Sequence, residues 1–261
     1  MMKTMAPKSV AARWRLSSVK RIKSVALCTM IGLLTAACGS LLNLPGTGPA
    51  PDLYDLSPKS TFEEGLPVAS YQLVVEEPVA SRALDSDRIA IRTSPLELKY
   101  YAGARWSDRA PSLVQTLLVE SFENSGLIVA VGRQAIGLRG DYDLKLEFRE
   151  FHAELYGDTS TPTVRTRLNV KIIRQPSASI IASETFERTA EAESDSIPNV
   201  VNAFDEALGS TMKRVVGWTL KSIEAYENRK KAEQDARRTV PMIEGQGLIE
   251  TEETVPEKLG L

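Results

Sequence analysis

The sequence contains little of several residue types on which protein chemistry often depends. It has two cysteines, Cys28 and Cys38, and one histidine, His152, and aromatic residues make up 6% of its 261 positions. It shows no HExxH zinc motif, no nucleophile elbow and no Walker sequence. An enzyme is therefore the least favoured class, and we predict neither catalytic nor metal-binding residues.

Long hydrophobic runs are also scarce, which excludes a membrane protein with several spans. The one apolar run covers residues 24–37 and follows a segment with seven basic groups and no acidic one. Fourteen residues are too few to cross a bilayer, which needs about 20, so the pattern indicates a secretory signal. Residues 38–261 then hold 25 basic and 34 acidic groups. An acidic body of this kind argues against nucleic acid as a partner.

The end of the apolar run resembles a bacterial lipobox, because small residues lead directly to Cys38. Thr35 stands where leucine is usual. The motif predicts cleavage between Ala37 and Cys38 and covalent lipid, palmitate included, on Cys38; the alternative is an ordinary secretory signal cut after Ala37. Gly39, in place of the aspartate that commonly retains lipoproteins in the inner membrane, favours the periplasmic face of the outer membrane. With Cys28 discarded, the mature chain would have no disulfide, no thiolate nucleophile and no cofactor besides the lipid.

Composition divides the chain into four parts. Residues 1–37 form the lipoprotein signal peptide, and residues 38–52 form a lipidated tether rich in Gly and Pro. Residues 53–227 are predicted to form one folded domain. Residues 228–261 are predicted to be a charged helical extension and a disordered tail.

Hydrophobic periodicity predicts the element order β–β–β–β–α–β–β–β–β–α. The first helix is predicted over 107–125, capped by Ser107 or Asp108 and ended by Gly126. The apolar run at 127–131 predicts a buried strand, and Gly103 is expected to end the strand before the helix. A phase slip within 141–156 predicts a β-bulge near Glu150, and the last helix is expected to run about 30 residues from Ser196. The fold class is α+β: one domain whose largely antiparallel, mixed sheet carries two amphipathic helices on one face.

Three groups of residues were considered as sites. His152 falls on the polar side of its strand, which favours a lone surface histidine. The bases at Arg229–Lys231 and Arg237–Arg238 would suit lipid headgroups, but acids interleave with them, which favours a solvated helix.

Tyr100, Tyr101 and Trp106, flanked by Arg105 and Arg109, are the candidates for partner binding. Tyr, Trp and Arg dominate interface hot spots. Packing at a strand-to-helix corner is the alternative explanation.

Several segments together resemble a known family. They are the lipobox and tether, LYDLSP at 53–58, DRIAIR at 87–92 and YYAGARWSDRAP at 100–111. They resemble the ABC-type transport auxiliary lipoproteins, which include the PqiC-like lipoproteins. The resemblance implies a lipid-anchored auxiliary subunit of an MCE-type lipid transport system, with an MCE-family periplasmic protein and its ABC permease and ATPase as partners. It supplies no catalytic residues and leaves open whether the domain forms a homo-oligomer.

Two alternative functions stay open from the sequence. One is a lipid-binding periplasmic carrier that holds an acyl chain between helices and sheet. The other is an outer-membrane assembly lipoprotein, since such proteins share the anchor and a small α+β body.

Overall fold

The computed structural model describes residues 50–134, 140–157 and 159–239. The predicted signal, Cys38, nearly all of the tether and the tail beyond Thr239 lie outside these residues. The elements follow the predicted order: β1 (Asp52–Tyr54), β2 (Ala69–Val75), β3 (Arg88–Ser94), β4 (Glu97–Trp106), α1 (Ala110–Ser125), β5 (Ile128–Gly132), β6 (Tyr142–Glu154), β7 (Thr163–Arg174), β8 (Ser179–Glu191) and α2 (Ile197–Thr239).

The sheet is built around β6, the strand that pairs with three others. On one side β7 pairs with the full length of β6, and β8 with that of β7, both antiparallel. On the other side β2 pairs in parallel with the start of β6 and β3 with its end, and a bridge from Val79 to Glu147 lies between them. β2 and β3 thus share one side of β6, an arrangement called here the fork at β6. Beyond the fork, β5 pairs with β2, β4 pairs with β3, and β1 pairs with β4. The predicted α+β class with a mixed sheet is confirmed, and the longest pairings are antiparallel.

The predicted β-bulge in β6 is confirmed. The register with β7 shifts between Phe148 and Glu150, which places one extra residue in β6. Because of it, Phe148 and Phe151 both lie in the core although they are three positions apart. The phase slip in the sequence therefore corresponds to this β-bulge. The bulge allows the 13-residue strand to keep its apolar side chains on one face.

The two helices cover this apolar face. The apolar residues of α1 at helical spacing are buried: Leu113, Val114, Leu117, Leu118 and Phe122. Gly126 ends the helix in the left-handed conformation with φ 63°, as predicted. The predicted start was wrong, since Arg109 is the N-cap residue and makes no side-chain cap. The reason is that the backbone N–H groups of Trp106 and Ser107 bond Asp87 and Tyr54 carbonyls, so residues 106–107 extend the sheet.

Two strand predictions also need correction. Gly103, with φ 69°, does not end β4; the strand bulges there and resumes pairing, with Arg105 opposite Arg88. The run at 127–131 is not a buried strand either. It forms β5, the last strand at one edge of the sheet, where Val129 is 73% exposed.

Residues 55–68, here called the strap, cross both helices between β1 and β2. The Ser57 N–H donates to Asp205 of α2 at 2.6 Å, and the Lys59 N–H donates to Ser121 of α1 at 2.9 Å. Leu66 of the strap packs beside Gly217 of α2, where a Cβ atom would lie 3.5 Å from the Leu66 side chain, an ordinary van der Waals distance. The strap is therefore attached to both helices.

Candidate docking surfaces

The five aromatic and basic candidates lie in the corner between β4 and α1, but they do not form one surface. The Tyr100 hydroxyl donates to the Ala83 carbonyl at 3.0 Å, and the Arg88 guanidinium lies 3.7 Å from the Tyr100 ring centroid. The Tyr101 hydroxyl is buried without a hydrogen-bond partner among the described residues. Burial raises the pKa of Tyr101 to about 12, and the nearby charge of Asp195 adds to the effect.

Trp106 lies in the core. It is 1% exposed, and its ring centroid is 5.1 Å from that of Phe204 and 5.9 Å from that of Phe151. The first ring belongs to α2 and the second follows the bulge of β6. The structure thus gives Trp106 the packing role, as the residue that joins β4, β6 and α2.

Arg105 and Arg109 form ion pairs that connect the corner between β4 and α1 to the loop between β2 and β3. Arg105 bonds Asp87 at 2.7 Å, whereas Arg109 bonds Glu77 at 2.9 Å and also Asp85. The hydrogen bond to Asp85 raises the pKa of Arg109. Both arginines are about half exposed, so each reaches solvent while its charge is matched by an acid of the same chain.

His152 is not a surface residue, contrary to the prediction. It faces away from the helices as expected, but it is only 2% exposed. Its Nε2 lies 3.2 Å from Glu154, and Arg165, directly opposite on β7, bonds the same carboxylate at 3.1 Å. Glu150 and Glu187 complete this ionic cluster around Arg165. Long charged side chains over the sheet therefore cover a residue that strand alternation assigns to solvent.

The His152 environment predicts a pH dependence of stability. Burial lowers the pKa of His152 below 6.5, against the opposite effect of its bond to Glu154. The unfolded chain therefore binds more protons there, and the free energy of unfolding falls as the pH drops through 6.5. Urea unfolding from about pH 7 to 5 should show a shallower decline in a His152→Gln variant than in the native chain. Parallel declines would contradict this assignment.

The three edge strands of the described sheet, β1, β5 and β8, differ in how well they are protected against pairing with a strand of another chain. β1 has three residues, and the 13-residue β8 carries four charges: Glu184, Glu187, Arg188 and Glu191. β5 carries no charge, and every residue from 127 to 132 is apolar or glycine. Natural edge strands are usually short or charged, because an apolar edge invites pairing with another strand. β5 is thus the edge most suited to a protein partner.

Neither a metal centre nor a membrane span was found in the part of the chain that the structure describes. No group of three or more metal-ligating side chains there could hold an ion. No helix among these residues is both long enough and apolar enough to cross a bilayer.

The described residues thus form an α+β domain in which the edge strand β5 carries no charge. The chain belongs to the family of ABC-type transport auxiliary lipoprotein components, whose family model matches residues 54–216. The resemblance seen in the sequence is thereby confirmed.

Two further proteins are similar to this chain. A crystal structure of a DUF330 family protein from Xanthomonas campestris is 33% identical, with a TM-score of 0.62 over 71% of this chain and 99% of that one. An uncharacterised protein of Bradyrhizobium diazoefficiens is 28% identical over 74% of this chain and 52% of its own length. The chain thus spans about half the length of this curated relative.

Proposed function

We propose that this chain is the outer-membrane lipoprotein subunit of an MCE-type ABC lipid transport system and docks the periplasmic MCE protein. Membership of the transport auxiliary family supports the system, and the uncharged edge of β5 supports docking through the sheet. The exposed edge is the single observation that carries the mode of binding. No catalytic step is part of the proposal.

Strand addition at β5 follows from its pairing. Ile128, Ala130 and Val131 are paired with β2 on one side, and no described strand pairs with the other side. An extended segment of a partner would satisfy the free backbone groups, and apolar side chains would contact Val129. The burial that the sequence predicts for residues 127–131 would then be achieved in the complex.

Anchoring belongs to the same proposal. Cleavage between Ala37 and Cys38 and acylation of Cys38 would attach the chain to the membrane. Two or more acyl chains give stable attachment where one is marginal. Residues 38–52 would then separate the folded body from the bilayer, and Gly39 favours the outer membrane.

The two alternative functions receive less support. The space between helices and sheet is filled by fully buried large side chains, including Trp106, Phe122, Phe151 and Phe204. A cleft of about 490 Å³ lies at the start of β6, but Asp141, Asp143 and Gln175 give it a polar lining unlike an acyl-chain site. No described feature specifically favours an outer-membrane assembly role.

Co-purification from detergent-solubilised membranes tests the proposed function. A tagged native chain is expected to recover the MCE protein, the permease and the ATPase, and to fractionate with the outer membrane. In a strain without the MCE protein, recovery of the permease and ATPase should be lost while outer-membrane fractionation is kept. A Cys38→Ser variant should instead move the chain to the soluble fraction.

The test distinguishes failure of the docking proposal from failure of the anchoring proposal. Unchanged recovery of the permease without the MCE protein would contradict docking through the MCE protein. Outer-membrane fractionation of the Cys38→Ser variant would contradict the lipid anchor alone.

A further inference from the structure

The last three turns of α2 extend beyond the body of the domain. The Tyr142 hydroxyl donates to Glu227, and Arg174 lies 5.9 Å from the Tyr226 ring. After Glu227 the helix continues to Thr239, a further 12 residues or about 18 Å. From Asn228 to Arg238 every residue is exposed except Lys230, which is half-buried.

The face of α2 that packs on the body continues into this extension with a different chemistry. Leu220 and Ile223 are buried, and Glu227 follows at helical spacing. The same spacing of three or four residues then leads to Lys230 and Lys231, and Arg237 and Arg238 follow about two turns later; these four residues are the basic stripe. An apolar contact face thus becomes a cationic one where the sheet ends.

The acids of the extension lie at the edges of this stripe. At 100° per residue, Lys230, Arg237, Arg238 and Lys231 span about 120° of the helix surface, and Glu233 and Asp235 fall outside this sector on opposite sides. The basic and acidic residues that are interleaved in the sequence therefore lie on different sectors of the helix surface. The interleaving alone, from which a solvated helix was predicted, does not reveal this separation.

We propose that the acidic C-terminal segment of the same chain, residues 250–257, binds the basic stripe. Residues 240–261 contain five glutamates and one lysine, and four of the glutamates, Glu250, Glu252, Glu253 and Glu257, lie in this segment. The stripe is about 12 Å long, and eight residues can reach about 23 Å when fully extended, so the acidic segment would be long enough to cover the stripe.

Chain length permits this contact within one molecule. Eleven residues separate Arg238 from Glu250, enough to reverse direction and return along the helix. A tethered segment of this length has an effective concentration in the millimolar range, so individually weak ion pairs add up. Residues 227–239 contain no large apolar side chain, which disfavours insertion of this helix into lipid.

Zero-length carbodiimide crosslinking of the full-length chain in detergent tests the proposal, because it joins lysines to contacting carboxylates. Lys230 and Lys231 should crosslink to residues 250–257 within the monomer at least about fivefold more than Lys213, which lies on the same helix. The yield should fall in about 1 M salt, where the screening length is about 3 Å. A variant with the four glutamates changed to Gln should lose these crosslinks.

Reversing the charges on both sides of the proposed contact distinguishes specific ion pairing from chance proximity of the two segments. The variant Lys230→Glu and Lys231→Glu should lose the contact, and adding Glu252→Lys and Glu253→Lys should restore it. Equal crosslinking at Lys213, salt-independent yields or crosslinks only between molecules would overturn the proposal, the last in favour of a second copy. This outcome is independent of whether the MCE protein binds β5.

Discussion

A Trp106→Ala variant is expected to lose about 3–5 kcal/mol of unfolding free energy, the range seen when large buried aromatic residues are truncated. Trp106 is almost fully buried and contacts the rings of Phe151 and Phe204. Its removal would open a cavity where β4, β6 and α2 meet. Since small domains are stable by about 5–15 kcal/mol, this loss would leave a partly unfolded population near physiological temperature.

Urea unfolding of the chain with Cys38→Ser measures this effect, and two variants serve as controls. Trp106→Phe keeps an aromatic ring and should lose less stability than the alanine variant. Arg105→Ala removes only a half-exposed pair with Asp87, which contributes about 0–1 kcal/mol. A stable Trp106→Ala variant that fails to bind its partner would contradict the packing role and restore Trp106 as a contact residue.

A Val129→Lys substitution on β5 is expected to weaken binding of the proposed MCE partner by about 10- to 30-fold, the effect of losing about 1.4–2 kcal/mol at a hot spot. A lysine on an edge strand is the device by which natural sheets prevent strand addition. Because Val129 is 73% exposed, its replacement should change unfolding stability by no more than about 0.5 kcal/mol.

Titration of the purified MCE protein against the chain measures the affinity, with Thr185→Lys as the matched control. Thr185 is exposed on β8, an edge strand that already carries four charges, so this lysine should leave binding unchanged. If Thr185→Lys weakens binding and Val129→Lys does not, then β8 is the docking edge. Unchanged binding by both variants would remove strand addition from the proposal.

Local features were predictable because each depends on residues close in sequence. The phase slip around Glu150 predicted the bulge, and Gly126 predicted the left-handed end of α1. The alternation within β6 also indicates directly which of its faces meets the core. Such patterns require no knowledge of which strands become neighbours.

Features that depend on strand neighbours could not be predicted in this way. An apolar run reveals that residues 127–131 are suited to burial, but only the fork at β6 places β5 at an edge. His152 was assigned to the correct side of its strand, yet its burial depends on Arg165 of β7. The candidate site was likewise divided by topology, with Trp106 in the core and Arg105 and Arg109 bound to acids of the β2–β3 loop.

The strap determines how the domain would respond to mechanical force. With the chain anchored at Cys38, tension would enter the described body at β1, whose three residues pair with β4. The next attachments are the hydrogen bonds from Ser57 to α2 and from Lys59 to α1, so the helix layer receives the tension before the central strands. If the chain links a membrane to a transport assembly as proposed, tension would release β1 first and then the bonds of the strap to the helices, while β6, β7 and β8 stay paired.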